Sequence, residues 1–120
     1  MIVDFDLRNK WDGIFSDFEV VEKMNDCQDI IYLRIVAPWG VTDRDFLQKR
    51  TVAHNYKGFE YSCHFVTADH DKKPKRKKHI RANTIISGYL FNKCKDDPNN
   101  TEVHIVACTD IKVYCNYIKK

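Results

Sequence analysis

Apolar residues recur at every second position over most of this chain, the period of a strand with one buried face. Phe18 and Val20, then Ile31, Leu33 and Ile35, mark the first two strands. From Asp45 to Tyr56, one face carries Phe46, Gln48, Arg50, Val52, His54 and Tyr56, and the other carries Leu47, Lys49, Thr51 and Ala53. Gly58 supplies a turn, after which Phe59, Tyr61, Cys63, Phe65 and Thr67 alternate against Glu60, Ser62, His64, Val66 and Ala68, so the pair predicts an antiparallel hairpin. Ile80, Ala82, Thr84, Ile86, Gly88 and Leu90 are expected to share the next face, and Asp96 to Asn100, with Pro98, form a polar turn. The last strand runs from Thr101 to about Cys115, with Val103, Ile105, Ala107, Thr109, Ile111 and Val113 in step.

Long one-sided strands joined by tight turns predict a strongly curved antiparallel sheet, and its apolar concave face needs a cover. The only helical candidate is the short segment from Val3 to Trp11, where apolar and charged residues mix without alternation. With no repeat and no linker-like shift in composition, the expectation is an α+β chain forming a single, partial domain over residues 1–120.

Composition changes this picture in two places. The net charge of +3 comes from one short run, Lys72, Lys73, Lys75, Arg76, Lys77 and Lys78; without those six cations the remainder stands at −3. Five cysteines, an odd set without close ligand spacing, suit a reducing compartment, and no stretch approaches the roughly 18 apolar residues of a spanning helix. Cytoplasmic residence without a signal peptide is therefore expected, with peripheral membrane contact through the basic run. No Gly-rich phosphate loop, nucleophile elbow or zinc-type pair is present, so no catalytic residue, metal or cofactor is expected.

A set of ordered motifs sharpens the reading. Arg8, Trp11 and Asp12 precede the first strand; Thr42-Asp43-Arg44-Asp45-Phe46 opens the third; Thr67, His70 and Pro74, then Ile80-Arg81-Ala82, Ser87-Gly88-Tyr89 and Asp110 follow. In order and spacing this set resembles the START (StAR-related lipid-transfer) domain family, of the phosphatidylcholine-transfer-like kind. The resemblance implies a helix-grip fold, in which a curved sheet wraps a long C-terminal helix and a lipid lies between them. Val113 and Asn116 stand where the family shows a Gly and then a Pro, and the C-terminal helix is missing from the chain. A sheet left open would expose far more apolar surface than a soluble monomer carries, so truncation, a homodimer, or a helix supplied in trans is expected.

The resemblance also implies a lipid or sterol ligand. Arg50, at a position where the family has a cavity-lining Arg, is a candidate polar anchor for a phosphate or hydroxyl; pairing with a nearby carboxylate is its structural reading. Phe65, Ile86, Leu90, Ile105 and Ala107 are candidate wall residues, since a lipid tail is held by apolar area with few polar anchors. Arg44 and Asp45, adjacent on a strand, point to opposite faces and read as structural; Trp11 and Asp12 read as packing. The basic run is a candidate membrane contact, and it lacks the interleaved aromatics of a nucleic-acid site. The function expected is non-catalytic lipid binding and transfer. Its rivals are an interaction module that recruits an acidic partner through the basic loop, and an enzyme acting inside the cavity.

Overall fold

A computed structural model describes residues 3–113. A four-residue helix, α1 (Phe5–Arg8), precedes the strands β1 (Phe15–Lys23), β2 (Gln28–Ile35), β3 (Arg44–Tyr56), β4 (Phe59–Thr67), β5 (Ile80–Arg81), β6 (Asn83–Lys93) and β7 (Thr101–Asp110). The sheet order is β1-β2-β3-β4-β6-β7, antiparallel throughout, with β5 paired in parallel to the start of β3. The six strands expected from alternation are all present, and β5 adds a two-residue bridge.

Local chemistry fixes the connections. Between β3 and β4, Lys57 and Gly58 both take positive φ, 49° and 88°, the geometry a two-residue hairpin needs to match strand twist. Between β6 and β7, Asp97 accepts from the Asn99 backbone N–H (3.0 Å) and the Asn100 side chain (2.8 Å). In α1, Asp4 caps the helix by accepting from the Leu7 N–H at 3.1 Å.

The concave face carries a cluster of Ile31, Leu33, Phe46, Cys63, Phe65 and Ala82. The N-terminal segment lies on the β1–β3 half of this face: Phe5 stacks on Phe18 with ring centroids 4.7 Å apart, and the Arg8 guanidinium sits 4.8 Å over Phe15. The convex face has a second cluster, Val21, Ile30, Tyr32 and Leu47, with Ala68 packed against it. Residues 69–79 return along this convex side, where His70 bonds Glu22 at 2.7 Å and Lys73 pairs with Glu19 and lies over the Tyr32 ring.

Among the described residues no helix covers the β4-β6-β7 half of the concave face. Residues 101–108 of β7 are consequently exposed, Val103, Ile105 and Val106 included. The strand stops at Asp110, whose carboxylate accepts from the Lys112 N–H at 2.8 Å; Ile111 and Val113, expected to continue it, fall outside the strand, and Tyr114 and Cys115, together with Asn116, lie outside the described residues.

Candidate functional site

Between the N-terminal segment and β7, the concave face holds a cavity of about 260 Å³. Its floor is Leu33, Ile35, Phe46 and Phe65, residues that alternate inward on β2, β3 and β4. Phe15 and Arg8 close it on the side of the N-terminal segment, and Tyr89, Ile105 and Ala107 form the opposite wall. The lining is predominantly apolar, with Gln48, Ser87 and Thr109 as its neutral polar members. Such a surface binds by removal of hydrocarbon from water and selects by a few placed polar groups.

The structure brings together three of the expected wall residues, Phe65, Ile105 and Ala107, and leaves out two, Ile86 and Leu90. The reason is a register irregularity in β6 between Thr84 and Ile86. Before it Thr84 faces inward; after it Ser87 pairs with Ala107 and Tyr89 with Ile105, so Ile86 and Leu90 point to the convex side. Ser87 and Tyr89 therefore occupy the wall assigned by strict alternation to Ile86 and Leu90. Gly88 is held tightly there: a Cβ at this position would lie 2.6 Å from the Cys63 carbonyl oxygen.

Arg50 is on the inward face but under the N-terminal segment, away from the cavity lining. Its Nε and Nη2 donate to the two oxygens of Asp29 at 2.9 and 2.5 Å, Nη1 donates to the Val3 carbonyl at 2.7 Å, and the guanidinium lies 4.8 Å over Phe5. With all three nitrogens engaged, Arg50 clamps the N-terminal segment to the sheet, which corrects the expectation that it projects into the ligand space. Arg8, expected only as part of a motif, lines the cavity instead, its Nε donating to Asp12 at 3.1 Å.

Arg44 and Asp45 diverge as expected. Arg44 donates to the carbonyls of Thr42, Ile111 and Lys112, tying the end of β7 to β3. Asp45, 1% exposed, accepts two bonds from Arg81 at 2.9 and 3.0 Å on the convex side. Arg81 also donates to the carbonyls of Lys73 and Pro74, anchoring the basic loop from beneath. Burial first, then the Asp45 charge, pushes the Tyr32 hydroxyl above its usual range. Trp11, expected to pack, is half exposed, with Arg8 6.0 Å from its ring. Burial pushes the Cys63 thiol up to about 12, so it is a packing residue and not a nucleophile.

Of the basic run, Lys72, Lys75, Arg76, Lys77 and Lys78 are exposed, whereas Lys73 is committed to Glu19 and Tyr32. The end of this loop meets the β2–β3 loop, because the Ile80 N–H donates to the Asp43 carbonyl at 3.0 Å. That second loop presents Val36, Val41 and a fully exposed Trp39, a feature which alternation could not flag because it lies between strands. Ile35, Thr109 and Ile111 line the cavity near this same end of the sheet.

Comparison with known proteins agrees with this architecture. The START domain model matches residues 2–115. Among solved structures, human STARD10 superposes with a TM-score of 0.84 at 24% identity, over 95% of this chain and 45% of that one. The lipid transfer and protein localization domain of human StarD13 (DLC2) gives 0.78 at 22% identity, over 90% of this chain and 53% of that one. Human StAR-related lipid transfer protein 5 gives 0.78 at 20%, over 92% and 52% respectively. The chain thus spans about half the length of these structures, and no curated protein sequence matches it. Matched by the family model along almost its whole length, and folded as a curved sheet with an inward-facing cavity, the chain belongs to the START domain family.

Proposed function

We propose that this chain supplies the sheet side of a non-catalytic lipid carrier, binding one lipid or sterol reversibly against its concave face. The observation that carries this reading is the apolar cavity of Phe15, Phe46, Phe65, Tyr89 and Ile105 on a face which the described residues cover only in part. Each methylene moved from water to such a wall contributes about 0.8 kcal/mol, so a protein cavity competes with a bilayer for the same chain. No bond is made or broken; exchange depends on lipid passing between cavity and membrane.

The reading extends to docking. Lys75, Arg76, Lys77 and Lys78 belong to the loop whose end meets that of Trp39, Val36 and Val41, near the end of the sheet where Ile35 and Ile111 line the cavity. Cations near an anionic bilayer contribute about 1 kcal/mol each, and an exposed Trp suits the headgroup boundary. This face therefore presents that end of the cavity to a peripheral, anionic membrane surface. Vesicle flotation tests it: binding is expected on vesicles with phosphatidylserine, with weakening on charge reversal of Lys75, Arg76, Lys77 and Lys78. Equal flotation of the reversed variant would remove the docking reading. A folded protein that acquires no lipid from any vesicle would remove the carrier reading.

A further inference from the structure

We infer that two copies of this chain join through β7, pairing antiparallel about a two-fold axis at Ile105, so that their concave faces run on into one another. The two outer strands of the sheet are built differently. β1 takes two register shifts against β2, holds Asp17 at a positive φ of 54°, and carries Asp17, Glu19, Glu22 and Lys23 among its nine residues. Bulges and charges of this kind keep an edge from accepting another strand. On β7 neither device is present. Its one shift against β6 is an extra residue on the β6 side, Ile85, so β7 itself runs from Thr101 to Asp110 without an insertion. It holds no lysine or arginine, and its carboxylates are Glu102 and Asp110. Among the described residues no strand pairs with its outer edge, which leaves a row of backbone N–H and C=O groups open to one.

Both faces of that edge are apolar. Val103 and Ile105 point inward and Val106 outward, all exposed, and Ile105, at 67%, is the most exposed of the large apolar strand residues. Ile105 also walls the cavity, so this wall stands at the rim of the sheet. A neighbouring strand satisfies the backbone groups and covers the flank of Ile105 in one step.

The residues of β7 fit a second β7. A copy of the chain is present at the same concentration as the chain itself, and a two-fold contact makes each favourable pair twice. Antiparallel partners point to the same face, so moving the axis by one residue changes every pair while keeping inward side chains together. With the axis at Val106, Glu102 faces Asp110 of the other copy at both ends, and like charges directly opposite are destabilising. With the axis at His104 the paired stretch shortens and the two imidazoles oppose each other. With the axis at Ile105, Thr101 faces Thr109, Val103 faces Ala107, His104 faces Val106 and Glu102 faces Cys108. Hydroxyl then meets hydroxyl, a larger apolar side chain meets a small one, and no two charges are directly opposed. This is the longest register of the three that avoids opposed carboxylates, and it does not depend on a lipid being carried.

Sedimentation velocity of the 120-residue chain tests the contact. A single paired edge lies at the small end of interface sizes, so a dimer with a dissociation constant on the order of 10 µM is expected. Ile105→Lys, which opposes two cations on the axis, is expected to raise that constant about tenfold or more. The register is read from Ile105→Cys in a Cys108→Ser background. Directly opposed Cα atoms lie about 5 Å apart, within disulfide range, so oxidised glutathione is expected to link the peptide carrying position 105 to its own copy. Circular dichroism establishes that each variant is folded, and the cross-link decides alone should Ile105→Lys misfold. A folded chain that stays monomeric at about 100 µM overturns the inference. So does a dimer that a folded Ile105→Lys leaves unchanged, or cross-linking of His104→Cys or Val106→Cys in preference to Ile105→Cys.

Discussion

Replacing Arg81 with Met is expected to be among the most destabilising single changes in this chain. Arg81 and Asp45 meet through two bonds of 2.9 and 3.0 Å, with side chains 7% and 1% exposed. Removing the guanidinium leaves the Asp45 carboxylate buried without a cation, a loss of about 3–5 kcal/mol. A domain has about 5–15 kcal/mol in total, so this one change removes a large share. It also strips the donor from the Lys73 and Pro74 carbonyls, which anchor the basic loop. Urea titration followed by far-ultraviolet circular dichroism measures the loss directly. The double variant Asp45→Leu/Arg81→Met separates causes: with no unpaired charge left, most of the stability is expected to return, since apolar replacement of a buried pair is often neutral. A single-variant loss under about 1 kcal/mol would refute the assignment of a buried, unreplaceable pair. A double variant as unstable as the single one would show that loop anchoring, not charge, is the dominant contribution.

Three further outcomes follow from the same geometry. Gly88→Ala places a Cβ 2.6 Å from the Cys63 carbonyl oxygen, forcing β4 and β6 apart; a loss of about 1–3 kcal/mol in urea titration is expected, and one below about 0.5 would contradict the close approach. The Cys63 thiol, pushed up to about 12 by burial, is expected to resist iodoacetamide at pH 8 in the folded protein, while exposed Cys27 and Cys108 react; peptide mass spectrometry reads this, and comparable labelling of Cys63 would contradict it. The Asp43 carboxyl is held below its usual range, first by the Ala37 N–H and then by Arg34. A depressed carboxyl contributes stability above its unfolded pKa of about 4 and loses it as pH falls through the folded value, so Asp43→Asn is expected to flatten the acid limb of the stability curve below about pH 4.

The sequence disclosed strands wherever one face is buried continuously, and failed where the backbone departs from simple alternation. The β3–β4 hairpin was legible because Gly58 punctuates two clean alternating runs and Lys57-Gly58 adopts the turn that the spacing demands. In β6 the consecutive apolar pair Ile85 and Ile86 fits either face, so nothing in the pattern marks the irregularity between Thr84 and Ile86. That one step exchanges Ile86 and Leu90 for Ser87 and Tyr89 in the cavity wall. The role of Arg50 was illegible for another reason. Alternation places it inward, but whether it meets ligand or carboxylate depends on Asp29, a neighbour 21 residues away in sequence that only strand register reveals. The basic run read as one block of charge, whereas Glu19 and Tyr32 on the convex side take Lys73 out of it.

These corrections share a physical origin in β3, which carries different chemistry on its two faces. Outward, Asp45 and Leu47 hold Arg81 and the convex cluster, and through Arg81 they fix the loop that bears the exposed cations. Inward, Phe46 and Gln48 floor the cavity, and Arg50 clamps the N-terminal segment that walls it. Because neighbouring residues on a strand alternate, cavity and loop anchor are built from adjacent positions and cannot slip independently: a shift of one residue would bury Leu47 and Lys49 in the cavity and turn Phe46 and Gln48 outward. The bidentate contacts of Asp45 with Arg81 and of Asp29 with Arg50 lie on opposite faces of β3, the first across its pairing with β5 and the second across its pairing with β2, and each is satisfied in only one register of its own pairing. Buried ion pairs add little net stability on average. Here their contribution is to specify register, and register decides which side chains a ligand meets.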